Sequence, residues 1–233
     1  PAGRLSEGPM TRSPLFSRCL SPWAWTLLIP LLFLPLFSQE QQKVLEDFSS
    51  SKTGSSPNGW SPRDDRGAPY YKVLEKDGNR YMRANVVSDS VPFYKKVKWE
   101  IQKYPRLSWR WRIIKFPPLG NEQIPEQNDT AGAVYATWIN IWKMEAKSVK
   151  YIWSLTLPKG TEFKKKTTWF IVVRSGKKEA GIWVPESVDV LADYKRLWGE
   201  DPKNPNLLVV LSDSNATKSR VICDYDDFVV SSR

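Results

Sequence analysis

The chain has 233 residues, no histidine and a formal net charge of +10, with 35 Lys and Arg against 25 Asp and Glu. Without imidazole it lacks the commonest general base and metal-ligating nitrogen at neutral pH, which excludes Ser-His-Asp, Cys-His and His-ligated zinc chemistry. The positive balance favours anionic partners and does not distinguish acidic polysaccharides, cell-wall polymers and lipid headgroups. No glycine loop of a nucleotide-binding type is present, and no nucleic acid partner is expected.

The first 38 residues read as an upstream extension followed by a secretory leader. Arg12 and Arg18 precede an uncharged run from Pro22 to Ser38, the chain turns polar at Gln39, and Met10 is the expected start. An uncleaved membrane anchor is the alternative, although Pro30 and Pro35 interrupt a segment at or below the length that crosses ~30 Å of hydrocarbon. The expected location is therefore periplasmic or secreted, with membrane contact only transiently through the leader. Cys19 lies in the leader, so residues 39–233 hold the single thiol Cys223 and no internal disulfide.

Residues 39–233 read as one all-β domain. Turn residues recur between short runs rich in Val, Ile, Tyr, Trp and Thr. Tyr70–Glu75 and Arg80–Val87 flank Asp77-Gly78, a hairpin signal. Leu107-Ser108-Trp109-Arg110-Trp111-Arg112-Ile113 alternates strictly, which sets Trp109 and Trp111 on a core face and Arg110 and Arg112 on the other. A long polar loop with three prolines, Pro117–Thr130, reads as functional or mobile. Further strands are predicted at Ala133–Trp142, Val149–Leu155, Trp169–Arg174, Gly181–Val184, Leu207–Leu211 and Ser219–Val230. One helix is predicted, over Val188–Trp198 and stopped by Gly199. Lys164-Lys165-Lys166 reads as a solvated turn, and Cys223 as a buried thiol. The pattern suits a two-sheet β-sandwich or jelly roll with one short helix.

The segments Leu107–Arg112, Tyr151–Ser154, Pro158–Thr161, Trp183–Gly199 and Ser212–Thr217 together resemble, in order, the blocks of the domain-of-unknown-function 3047 family, and the block Asp189-Val190-Leu191-Ala192-Asp193-Tyr194 is the most specific. The resemblance implies a bacterial envelope protein similar to carbohydrate-binding jelly rolls, with no established activity. It departs from the family where paired aspartates and then an arginine precede the Ala133 strand: this chain has Asn128-Asp129 and Ala133, so a ligand held by that arginine would lack it here.

Candidate ligand residues follow. Arg110 and Arg112, one pleat apart, could grip carboxylates or phosphates, or pair across the sheet. Trp138, Trp142 and Trp153 could stack on sugar rings or fill the core. Asp129, Asp213 and Asn215 match family blocks and could contact ligand or order turns. Asp47 and Asp227 lie where first and last strands of such folds meet, which by fold analogy suggests a structural Ca²⁺ and no other cofactor. The expected function is non-catalytic binding of a glycan or other anionic envelope polymer. The alternatives are a His-independent polysaccharide lyase or hydrolase using Tyr, Arg and Asp, and a structural envelope protein.

Overall fold

A computed structural model describes residues 40–233. The leader, its start at Met10 and its cleavage site lie outside the described residues. Along the chain run β1 (Gln42–Glu46), β2 (Trp60–Pro62), β3 (Tyr71–Lys76), β4 (Asn79–Val87), β5 (Phe93–Lys96), β6 (Arg106–Lys115), β7 (Gly132–Asn140), β8 (Glu145–Ser154), β9 (Glu162–Lys165), β10 (Thr168–Ser175), β11 (Val184–Asp189), helix α1 (Val190–Trp198), β12 (Leu207–Leu211) and β13 (Arg220–Ser231).

The strands form two sheets. The first has the order β11-β6-β13-β4-β3, with β1 continuing beside β13; the second has the order β2-β5-β12-β7-β8-β10-β9. From β4 to β7, and again from β10 to β13, successive strands alternate between sheets, the crossing pattern of a jelly roll. The all-β, two-sheet reading holds.

Alternation on each strand builds the interior. Trp109 and Trp111 of β6 meet edge to face at 5.3 Å, and Trp111 lies 5.7 Å from Trp153 of β8. Val134 and Ala136 of β7, with Val149 and Tyr151 of β8, fill the same core from the second sheet. Cys223 is buried there as a free thiol.

Local chemistry explains the turns. Asp77 and Gly78 both take positive φ, +54° and +79°, in a two-residue loop between paired Lys76 and Asn79. Helix α1 starts two residues later than predicted, because the Asp189 carboxylate caps it by accepting from the Ala192 N–H at 2.9 Å. Gly199 ends it at φ +70°. The strand predicted at Gly181–Val184 is displaced to Val184–Asp189: Gly181 turns at φ +82°, and β11 is a sheet edge, where Pro185 is tolerated.

Gly132 opens β7 where the two sheets approach closely. A Cβ there would lie 3.0 Å from Cys223 Sγ and 3.4 Å from Trp111 Cε3. Gly132→Ala should therefore cost about 1–3 kcal/mol of stability by overpacking, read as a lower urea midpoint at unchanged slope; an unchanged midpoint would show that the sheets separate freely at this point.

Candidate functional site

The first sheet spends its arginines internally. Register places Arg112 and Arg83 on either side of Asp224, and Arg110 opposite Asp226. Arg83 forks onto Asp224 through Nε at 2.6 Å and Nη2 at 2.9 Å, while Arg112 donates to its Oδ2 from Nε at 2.9 Å and Nη2 at 2.7 Å. Arg110 Nη2 donates to Asp226 Oδ2 at 2.6 Å and Asn79 Oδ1 at 2.8 Å, and its Nε lies 2.7 Å from Asp227 Oδ2. Both guanidiniums of β6 also lie against the Trp183 ring, at 4.9 and 4.7 Å. Of the two roles open to Arg110 and Arg112, the structure shows pairing across the sheet, because β13 presents carboxylates in register.

Other expected site residues disperse. Trp153 is in the core and donates its indole N–H to Gly176 O at 2.9 Å, so it offers no face to a sugar. Trp138 is buried against Tyr194, ring centroids 4.5 Å apart, and donates to Lys203 O at 2.7 Å. Asp129, buried, accepts from the N–H groups of Ala216 at 2.9 Å and Thr217 at 2.8 Å and from the Thr217 hydroxyl, and so orders the turn that carries exposed Asn215. Asp47 accepts from Ser49 N–H at 3.0 Å and its hydroxyl at 2.7 Å. Asp47 and Asp227 do border one shallow depression of about 350 Å³ with Glu75 and Asn79. The Asp227 carboxylate there faces Arg110, and among the described residues no group of three Asp, Glu or Cys side chains is arranged to hold a metal ion.

The outer face of the second sheet is different. Pairings Tyr94↔Val209, Val209↔Tyr135, Tyr135↔Lys150, Lys150↔Phe170 and Phe170↔Phe163 set one row of side chains across β5, β12, β7, β8, β10 and β9. At ~4.8 Å per strand the row spans roughly 24 Å. Since Val134, Ala136, Val149 and Tyr151 point into the core, Tyr135 and Lys150 point away from it. Phe163 and Phe170 stack at 4.7 Å, and the Lys150 ammonium lies 4.6 Å from the Phe170 centroid and 4.9 Å from that of Tyr135. Tyr94, Tyr135 and Phe163 are half-buried, whereas Val209, Lys150 and Phe170 are buried, and Tyr135 and Phe163 pack against a second apolar cluster that includes Ile152, Leu157, Val172 and Leu211.

The Pro117–Thr130 loop walls this row. Buried Glu122 accepts from Ser154 Oγ at 2.6 Å and Thr130 Oγ1 at 3.1 Å, and Lys165 donates to Glu122 O and, at 2.9 Å, to Asn128 Oδ1. Lys165 is thus a strap rather than part of a solvated turn. Lys150 is only 5% exposed and forms no ion pair or hydrogen bond among the described residues. Burial pulls its pKa down from 10.5 to about 8, against the attraction of Asp213 and Glu122. Burial also lifts Asp213 from 3.8 to about 6, against the pull of Lys150, and raises Glu122.

Asp213, buried after β12, accepts from the Asn215 N–H at 3.4 Å and is the one expected residue whose charge acts on Lys150. Lys150, Tyr135, Phe163, Phe170 and Glu122 are absent from the sequence reading. Their signal was faint: Lys150 is a lone charge between Val149 and Tyr151 on a strand whose outer face otherwise carries Ser148, Ile152 and Ser154.

Fold and site together define a jelly-roll β-sandwich with an aromatic row and a buried cation across one outer face. The chain belongs to the family described as "Protein of unknown function (DUF3047)", whose model matches residues 59–229. The sequence matches no curated protein. Among solved structures, the family 11 carbohydrate-binding module of a Clostridium thermocellum cellulosomal cellulase is similar at 9% identity and TM-score 0.42, over 82% of this chain and 94% of that one. A family 29 carbohydrate-binding module is similar at 12% identity and TM-score 0.38, over 82% and 92%. The K2 adhesin domain of Lys-gingipain is similar at 11% identity and TM-score 0.40, over 82% and 99%.

The charge on Lys150 weakens the fold: its penalty is present in full below about pH 8 and is relieved as pH rises toward 10.5. The Asp213 penalty is full above about pH 6 and is relieved as pH falls toward 3.8. Lys150→Met should therefore raise unfolding free energy by roughly 1–3 kcal/mol near pH 7. In urea titrations that gain should shrink above about pH 8; a variant less stable than wild type near pH 7 would show instead that the protein compensates this charge.

Proposed function

We propose that the domain binds an anionic glycan chain, or a similar acidic envelope polymer, laid across the strands of the second sheet. The observation that carries this reading is the row Tyr94-Val209-Tyr135-Lys150-Phe170-Phe163, with at its centre a lysine only 5% exposed that forms no ion pair among the described residues. Aromatic faces stack on sugar rings whatever their sequence, and a carboxylate on the chain would supply the partner that Lys150 lacks. The Pro117–Thr130 loop would limit access on one side and hold the chain in line with the row. The leader read in residues 1–38 supports an extracytoplasmic setting for such a polymer.

A second reading, the polysaccharide lyase, has one observation in its favour: an amine with pKa near 8 beside Tyr135 and an acid with pKa near 6 could exchange protons near neutrality. Ultraviolet absorbance from an unsaturated sugar end, accumulating with polyuronate, would select it over binding alone.

Calorimetric titration with polygalacturonate and alginate, and with neutral cellohexaose as comparison, tests the binding site. Tyr135→Ala and Phe163→Ala should each weaken binding on the order of tenfold. Lys150→Met should remove the preference for the acidic polymers, whereas Arg110→Ala should lower stability and leave affinity unchanged. Equal affinity in wild type, Tyr135→Ala and Phe163→Ala would sink the assignment of this face.

A further inference from the structure

The hairpin joining β7 to β8 outruns its sheet. Beyond the row Leu207-Thr137-Ser148-Thr168, neighbouring strands stop, while β7 and β8 continue through the pairs Trp138↔Lys147, Ile139↔Ala146 and Asn140↔Glu145. Three further residues carry the tip ~10 Å past the sheet end. That tip is apolar where solvent is most abundant: Ile141 is 73% exposed, Trp142 92% and Met144 95%, with Ile139 partly exposed behind them. Met144 holds φ +50°, a conformation that favours Gly or Asn, and no packing contact accounts for a methionine at so exposed a position.

The same end of the sandwich is rich in lysine. Lys96 ends β5, Lys98 follows it, Lys164 lies near the end of β9 and Lys166 in the β9–β10 turn, Lys203 precedes β12, and Lys143 sits in the tip itself. All six are exposed. The lysines that form ion pairs among the described residues are Lys95, Lys147 and Lys195, so these six carry no ion pair there, Lys164 lying instead over the Trp198 ring at 4.3 Å. Of the acids near the tip, Glu200 pairs with Lys147 and Asp201 with Lys195, and Glu145, next to Met144, forms no ion pair among the described residues, so the six lysines outnumber the free acid.

We infer that this end of the domain docks on an anionic lipid bilayer, with Ile141, Trp142 and Met144 inserted into the headgroup–acyl boundary and the lysines on lipid phosphates. Trp suits that boundary because its ring is apolar and its N–H is polar. Ile141 and Trp142 also border an open cavity of about 560 Å³ with Tyr194, Lys203 and Asn206, but the aliphatic Ile and Met at the tip give a sugar nothing to stack on, whereas a bilayer deforms around such a wedge two strands wide. Each lysine held near an anionic surface adds attraction that salt screens. No helix among the described residues is long and apolar enough to cross a membrane, and the contact proposed for the tip is interfacial. It is distinct from any contact through the leader.

The test follows Trp142 alone. The fluorescence difference between wild type and Trp142→Phe, in the full chain, isolates this indole from the other eleven and is blind to whatever else anchors the protein. On vesicles of phosphatidylglycerol and phosphatidylethanolamine the difference spectrum should shift to the blue and lose quenching by acrylamide, with a smaller shift on phosphatidylcholine and reversal of the lysine contribution by salt. Because the tip packs on nothing, Trp142→Phe should retain the wild-type urea midpoint. A difference spectrum that stays that of a water-exposed indole on vesicle-bound protein, or that shifts only with a soluble polysaccharide, overturns the inference.

Discussion

Asp224 is a fully buried carboxylate held between two guanidiniums, Arg83 from β4 and Arg112 from β6. Desolvating a lone carboxylate there would be prohibitive, and removing either arginine would leave charge uncompensated. The register of three central strands is therefore fixed chemically as well as by alternation. A slip of one residue would turn Trp109 and Trp111 outward and bury the arginines. The same three strands that form the core on one side thus close the other side with ion pairs roofed by Tyr81 and Trp183.

This closure has a consequence for function. The central arginines of this surface, Arg83, Arg110 and Arg112, are matched by carboxylates in register and so have little left to offer an anionic ligand, however basic the sequence looks. The second sheet shows the opposite arrangement. Lys150 lies among rings, its nearest carboxylates pull on it without forming an ion pair, and both it and Asp213 are shifted toward their neutral forms by burial. Such charges weaken the fold, and proteins keep them where a ligand or a reaction uses them.

How much of this was legible depends on which residues repeat with the strand period. The β6 alternation, the Asp77-Gly78 hairpin and the Gly199 stop are local, and the sequence alone places them within a residue or two. The junction of β1 with β13 was legible too, as Glu46 pairs with Phe228. The aromatic row was not, because it runs perpendicular to the chain. Its six residues come from six strands and become neighbours only through registers that no single segment specifies. The choice between the two roles open to Arg110 and Arg112 was not legible for the same reason: their partners Asp226 and Asp224 sit more than a hundred residues away in sequence. The tryptophans were separable only by burial, since Trp138 and Trp153 face the core and Trp142 lies beyond the end of the paired strand.

The two proposed surfaces share one hairpin, and that constrains how they could act together. Tyr135 and Lys150 form one rung of β7–β8, while the tip lies six residues further along β7 at Ile141, a rise of roughly 20 Å. With the tip in a bilayer and the strands standing upright, the aromatic row would run parallel to the membrane plane, because it crosses the strands at right angles. A polymer bound along it would lie flat above the headgroups at about that height. The lysines would then face lipid while Lys150 faces polymer, so that each anionic partner meets its own cations and neither needs the paired arginines of the first sheet.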